Sequence, residues 1–189
     1  MQGTSRAVFV DRDGTIIEDS GYISTPKEVH FLPGSIEALR QLNQAGFKVI
    51  VITNQSGVAR GFFSEDMVQT IDKFIHKQVL SGGGHIDAFY YCPHHPEHGV
   101  YPYRQECACR KPSPGMIKQA AQDHHLDLGR SFMVGDHSCD VRAGKTAGVR
   151  TVFVLTGHGS REKAKLADKP DHTAPSLAEA VAWIIKEGK

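Results

Sequence analysis

Residues 7–15 read AVFVDRDGT. Four apolar residues in unbroken succession, Ala7 to Val10, have the character of a short strand buried on both faces, as in a parallel sheet. The run ends abruptly at charge. Asp11, Arg12 and Asp13 follow Val10 directly, and Gly14-Thr15 turns the chain. A buried strand therefore delivers two carboxylates, two positions apart, onto a glycine turn.

Outward from this stretch the same form recurs. FKVIVITN (47–54), IDAFYYC (86–92), SFMVGD (131–136) and TVFVLTG (151–157) are further strands rich in β-branched and aromatic residues. Helical periodicity separates them. PGSIEALRQLNQAG (33–46) opens on proline, spaces Ile36, Leu39 and Leu42 along one face and stops at Gly46. SEDMVQTIDKFIHKQVL (64–80) opens on a Ser64 cap and is amphipathic; SPGMIKQAAQDHHL (113–126) and the shorter VRAGKTAG (141–148) follow. SLAEAVAWIIKEG (176–188) begins with capping-box spacing at Ser176 and Glu179, and the polar SREKAKLADKPDHTAP (160–175) before it reads as a surface excursion. Strands alternating with helices predict a Rossmann-like α/β/α sandwich of three layers on a central parallel sheet.

Ligands of such sheets bind beyond the carboxyl ends of the strands, so the residues that follow each strand are read together. Asp11 and Asp13 follow the first, Thr53 and Asn54 the second, Arg110 and Lys111 come after the third, and Asp136 and Asp140 follow the fourth. Each pair alone is an ordinary turn or strand exit. Their joint placement would converge carboxylates, a hydroxyl and a lysine where a phosphate and a hard divalent cation fit. Oxygen donors including a backbone carbonyl suit Mg²⁺, with Asp11, Asp13 and Asp136 as the candidate magnesium residues.

Three of the four cysteines lie between 92 and 109. Cys92, His94, Cys107 and Cys109 form a Cys₃His set able to close tetrahedrally around Zn²⁺. A catalytic zinc would need an open position and would leave the strand-end carboxylates without a purpose; a structural zinc accounts for an otherwise costly long loop. His95 and His98 are expected to be turn residues, and Cys139 a small packing residue.

These residues, in this order, resemble the haloacid dehalogenase superfamily of phosphohydrolases: DRDGT as its first motif, Thr53 its second, Lys111 its third and GDHSCD its fourth. The resemblance implies that Asp11 attacks phosphorus and forms an aspartyl-phosphate, while Asp13 protonates the leaving alkoxide and then activates water. Thr53 and Lys111 would stabilise the transferring phosphoryl group. Asp13 is expected to lie off the metal by its side chain and among other carboxylates, which favours its protonated form. Superfamily members usually insert a cap domain, but the intervals from Asp13 to Thr53 and from Thr53 to Lys111 are consumed by loops, helices and a strand. The expectation is one capless domain over 1–189, with its core at about 6–157 and the zinc loop at 92–109.

NQSGVARGFF, YYCPHHPE, CACRKPSPGM and SFMVGD resemble most the capless members that dephosphorylate a heptose bisphosphate at C7 on the way to cell-envelope polysaccharide; a sister group acts on histidinol phosphate. The resemblance carries substrate contact onto Asp19, Ser20, Gly21, Tyr22, Thr53, Asn54, Gln55, Ser56, Arg110, Lys111 and His137. The last is a departure, because the family often has lysine there. Arg110, always cationic, is the candidate for a second phosphate and favours the bisphosphate over an aminoalcohol.

Composition excludes several other classes. The formal net charge of +1 and the absence of a Lys/Arg run argue against a nucleic-acid module or a DNA 3′-phosphatase. No stretch approaches the ~20 apolar residues of a membrane span. The expectation is a cytoplasmic monomer acting on a small phosphorylated sugar.

Overall fold

The structure is a computed structural model, and it describes residues 5–188. Six strands, β1 (Ala7–Val10), β2 (Lys48–Asn54), β3 (Ala88–Cys92), β4 (Phe132–Gly135), β5 (Arg150–Val154) and β6 (His172–Ala174), form one sheet in the order β3-β2-β1-β4-β5-β6. Every pairing is parallel. Six helices alternate with them: α1 (Ser35–Gln44), α2 (Glu65–Ser81), α3 (Gly115–Asp123), α4 (Ser138–Ala147), the single turn α5 (Gly159–Glu162) and α6 (Leu177–Glu187).

The period of two along each strand divides the core into two layers. Val8 and Val10 of β1 face the cluster that holds Val49, Val51, Leu39, Leu42, Ile71, Ile75, Val181 and Ile184, which places α1, α2 and α6 on one side. Ala7 and Phe9 face Ile50, Ile52, Met116, Ile117, Ala120 and Ala143, which places α3 and α4 on the other. Both faces of β1 are thus fully covered, as its unbroken apolar run requires.

Two sequence expectations change. The excursion at 160–175 contains β6, a sixth strand against β5. Its three residues, His-Thr-Ala, are too short and too polar to show a periodicity, and only pairing with the strand beside them makes them extended. Helix α4 begins at Ser138, not Val141, because the backbone N–H of His137 donates to Asp140 Oδ2 at 2.9 Å and closes a capping box.

Successive strands run outward from β1 to β3, and the chain then returns to place β4 on the other side of β1. The strand order reverses there, opening a crevice at the carboxyl ends of β1 and β4. Between β1 and α1 the chain folds back onto the core, burying Ile16, Ile17, Ile23 and Val29.

Candidate functional site

A cleft of ≈ 300 Å³ lies at that crevice, lined by Asp11, Asp13, Asp19, Thr53, Asn54, Arg110, Lys111, His137, Cys139 and Asp140. Four strand exits contribute to it, as parallel strands must when their carboxyl ends share one edge.

Asp11, Asp136 and Asp140 bring carboxylate oxygens within 4.8 Å of one another, and all three are buried. Lys111 reaches across the crevice as the buried cation among them. Its Nζ lies 2.6 Å from Asp11 Oδ1 and 2.6 Å from Asp140 Oδ1, and donates to the Ile52 carbonyl at 3.1 Å. The Asp140 approach is an ion pair by distance, without the alignment of a hydrogen bond. Burial would lower the Lys111 ammonium, but Asp11 and Asp140 outweigh it and hold it above its ordinary value. Burial raises the Asp11 carboxyl well above the usual range against the pull of Lys111, with Asp140 and Asp136 adding to the rise. Burial, and then Asp140, push Asp136 up to about 6.

One lysine does not neutralise three buried carboxylates. Asp136 is fully buried; its Oδ2 accepts the His158 backbone N–H at 2.7 Å, while its Oδ1 has no donor. An orphaned carboxylate oxygen beside two other acids is the donor set of a hard dication, and Mg²⁺ fits it. Gly14 keeps the place open. At φ +80 it occupies a conformation that disfavours side chains, and a Cβ there would strike the Asp136 carboxylate.

Asp13 stands apart from this cluster. Its Oδ2 accepts from Gln55 Nε2 at 2.8 Å, Arg12 Nε at 3.1 Å and Thr53 Oγ1 at 3.4 Å, and its Oδ1 from Arg12 Nη2 at 3.3 Å. The side chain is off the acidic cluster as expected. Its neighbours, however, are a guanidinium and two neutral donors rather than carboxylates. Asp140 joins Asp11 and Asp136 in the carboxylate cluster, and any magnesium contact from Asp13 would come, as the sequence suggests, from its backbone carbonyl.

Of the residues to which substrate contact was carried, Asp19, Thr53, Asn54, Arg110, Lys111 and His137 line the cleft. Ser20, Gly21, Tyr22, Gln55 and Ser56 are not in its lining. Gln55 is buried and bridges Thr53 to Asp13. Asn54 clamps the Lys111 backbone, donating to its carbonyl at 3.0 Å and accepting its N–H at 3.0 Å. Cys139, expected only to pack, lines the cleft as well. His158 was missed: beside its backbone bond to Asp136, its Nε2 lies 2.9 Å from Asp19 Oδ2 and ties the loop after β1 to the loop after β5. A lone histidine in a polar stretch gave no signal of this.

Cys92, His94, Cys107 and Cys109 come together at the end of β3. The three sulfurs lie 3.1 to 3.5 Å apart, and His94 Nδ1 lies 3.4 Å from Cys109 Sγ and 3.8 Å from Cys92 Sγ. Tetrahedral Zn²⁺ with ~2.3 Å bonds to sulfur sets sulfurs about 3.8 Å apart, so small side-chain movements accommodate it. Its sulfur contact with Cys92, and those with His94 and Cys107, pull the Cys109 thiol down to about 5 against its burial. His95 lies outside the set, its Nδ1 accepting the backbone N–H groups of Glu97 and His98 at 3.1 Å each. Arg110 Nη1 donates to the His94 carbonyl at 3.2 Å, which couples the loop to the cleft.

Comparison with known proteins agrees with this architecture. Residues 8–89 match the family described as "Haloacid dehalogenase-like hydrolase", and residues 108–180 the one described as "HAD-hyrolase-like". The D-glycero-beta-D-manno-heptose-1,7-bisphosphate 7-phosphatase of Pasteurella multocida (strain Pm70) is 45% identical over 161 residues, 85% of this chain and 87% of that protein. The protein of the same name from Escherichia coli (strain K12) is 41% identical over 184 residues, 97% of this chain and 95% of its own length. The crystal structure of D,D-heptose 1,7-bisphosphate phosphatase from B. bronchiseptica, complexed with magnesium and phosphate, has a TM-score of 0.87 at 35% identity and covers 96% of this chain and 99% of that one.

Proposed function

The chain belongs to the haloacid dehalogenase-like hydrolases and is a phosphatase, and on that premise we propose that it removes the C7 phosphate of D-glycero-β-D-manno-heptose 1,7-bisphosphate to leave heptose 1-phosphate. The β-anomer is the one that the Pasteurella and Escherichia relatives carry in their names. The observation that carries the reading is the convergence of Asp11, Lys111 and two further carboxylates in one cleft with a second cation, Arg110, in its wall.

Asp11 is the nucleophile. Lys111 holds its Oδ1 at 2.6 Å, which fixes the carboxylate and leaves the other oxygen for attack. A bond forms from Asp11 to phosphorus as the bond from phosphorus to the sugar oxygen breaks, and Asp13 supplies the proton to that leaving oxygen. In the second step Asp13 takes a proton from water, the water oxygen bonds to phosphorus, and the bond to Asp11 breaks. Thr53 and Lys111 donate to the equatorial phosphoryl oxygens. Asp11 and Asp136, with the Asp13 carbonyl, would hold Mg²⁺; Asp140 secures Lys111 beside them. When bound, the cation offsets the repulsion between carboxylate and phosphate and orients the phosphoryl group.

Arg110, positioned from the zinc loop through its bond to the His94 carbonyl, binds the phosphate that is kept. Cys92, His94, Cys107 and Cys109 would hold a structural zinc, and the loop they close carries Arg110 and Lys111 toward the two phosphates. The chain is a single capless domain whose specificity lies in the loops at 18–23, 55–63 and 92–110, and it works as a cytoplasmic monomer. No helix among the described residues is long and apolar enough to cross a membrane.

The test is side-by-side kinetics on both heptose bisphosphate anomers, a sugar monophosphate and histidinol phosphate, with wild type and Arg110→Ala. The β-bisphosphate should be the best substrate. Arg110→Ala should lower its kcat/KM by about tenfold to a hundredfold, a charge-assisted bond being worth ~1.5–3 kcal/mol, and spare the monophosphate. Equal losses on both, or a preference for histidinol phosphate, would end the assignment.

A further inference from the structure

We infer that Asp72, on α2 and outside the cleft, is a positioning residue for proton transfer, acting on Asp13 through the buried guanidinium of Arg12. The inference rests on the reading of Asp13 given above. Arg12 is 1% exposed and divides its nitrogens between two carboxylates. Nε and Nη2 form a fork on Asp13, while Nη1 donates to Asp72 Oδ1 at 3.0 Å. Asp72 is itself buried, on the stripe of α2 that carries Val68, Ile71, Ile75 and Val79 into the core. An acid at such a position is costly unless paired, and its hydrogen-bond partner is Arg12.

The allocation of donors on Asp13 shows what this anchoring does. Oδ2 is crowded by Gln55, Arg12 Nε and Thr53. Among the described residues Oδ1 has only the long 3.3 Å contact from Arg12 Nη2, which lies nearer to Oδ2, at 3.1 Å. Oδ1 is therefore the oxygen with capacity to carry the transferable proton, provided the guanidinium plane stays where it is. Arg12 has a long stem, and among the described residues its third edge is held by Asp72 alone. Without Asp72 the guanidinium is free to tilt over Oδ1, and the carboxyl turns with it.

Positioning of a general acid matters most when the leaving group is a poor one. The test measures kcat/KM, which reports the steps through release of the first alcohol, for the sugar bisphosphate and for 4-nitrophenyl phosphate, whose leaving phenolate needs little protonation. Asp72→Asn should lower kcat/KM on the sugar bisphosphate by roughly tenfold or more, and on the aryl ester by less than about threefold. Asp72→Glu, which keeps the charge, should recover part of the loss. The ratio of the two substrates is taken within one preparation, so it does not depend on the fraction folded.

Equal losses on both substrates would mean that Asp72 only supports the fold, and no loss on the bisphosphate would mean that it does nothing for the reaction; either overturns the inference. Asp13→Asn in the same assay separates the two levels. If it shows the leaving-group dependence and Asp72→Asn does not, the inference alone falls. If Asp13→Asn shows none, the reading of Asp13 falls and the inference with it.

Discussion

Consider the replacement of Asp136 by asparagine in magnesium-free protein. Asp136 is fully buried, its Oδ1 has no donor, and burial together with Asp140 raises its pKa from 3.8 to about 6. At neutral pH it must be held ionised, and the rise corresponds to about 3 kcal/mol at ~1.4 kcal/mol per unit. An asparagine amide keeps the bond from the His158 N–H through its oxygen and turns its NH₂ toward Asp11 and Asp140. Allowing for burial of the amide, the variant should gain about 1–3 kcal/mol, or roughly 2–10 °C in Tm for a chain of this size. The sign with pH follows from the raised pKa. The wild-type carboxyl contributes stability below its unfolded value near 3.8 and loses it as pH rises through about 6. The advantage of asparagine should therefore be absent at pH ~3, where the wild-type carboxyl is protonated in both the folded and the unfolded state, grow from there, and be complete by pH ~7. Thermal unfolding with and without magnesium checks this, in magnesium-free buffer without a strong chelator so that the cysteine site keeps its metal. Magnesium should raise the Tm of the wild type and barely move that of the variant, which should also lack turnover. A variant less stable than wild type at neutral pH without magnesium, or one that gains equally from it, would refute the reasoning.

Gly14→Ala should cost about 1–3 kcal/mol, from a left-handed backbone conformation and a methyl group set against Asp136, and should lower magnesium affinity by roughly the same energy, about fivefold to a hundredfold. Urea unfolding and a magnesium titration of activity measure the two, and an unchanged titration would contradict the placement of Asp136 beside Gly14. Cys109→Ser should bind zinc far more weakly, unfold at lower temperature and lose turnover of the bisphosphate more than of a monophosphate, because Arg110 and Lys111 follow directly in the chain. Zinc content, Tm and the two rates are read together; intact selectivity in a zinc-free variant would reduce the loop to a staple.

Much of this was legible in the chain because its signals are local. AVFV could only be a strand covered on both faces, and the other strands repeat its form at βαβ spacing. The position after each strand then had to fall on one edge of the sheet, which is why Asp11, Thr53, Lys111 and Asp136 group together from the sequence. The four metal-binding side chains of the 92–109 loop stood out by chemistry alone. What was illegible was short or non-local. β6 has three residues and no pattern of its own, and His158 reaches Asp19 and Asp136 from a loop remote in sequence. Asp72 did leave a trace, an acid on the apolar stripe of an amphipathic helix, but its partner Arg12 lies sixty residues away.

The sequence by itself determined the parallel three-layer fold, the residues available to the cleft and the zinc-type ligand set, because hydrophobic period and residue chemistry are properties of neighbours along the chain. Only the tertiary structure decided how those residues are shared out. It placed Asp140 with Asp11 and Asp136 around Lys111, turned Asp13 away to Arg12, Gln55 and Thr53, and left one oxygen of Asp136 without a donor. In a continued strand two carboxylates two positions apart would share a face; β1 ends at Val10 and the chain turns at Gly14, so which carboxylate meets which charge depends on elements that reach the crevice from elsewhere in the chain.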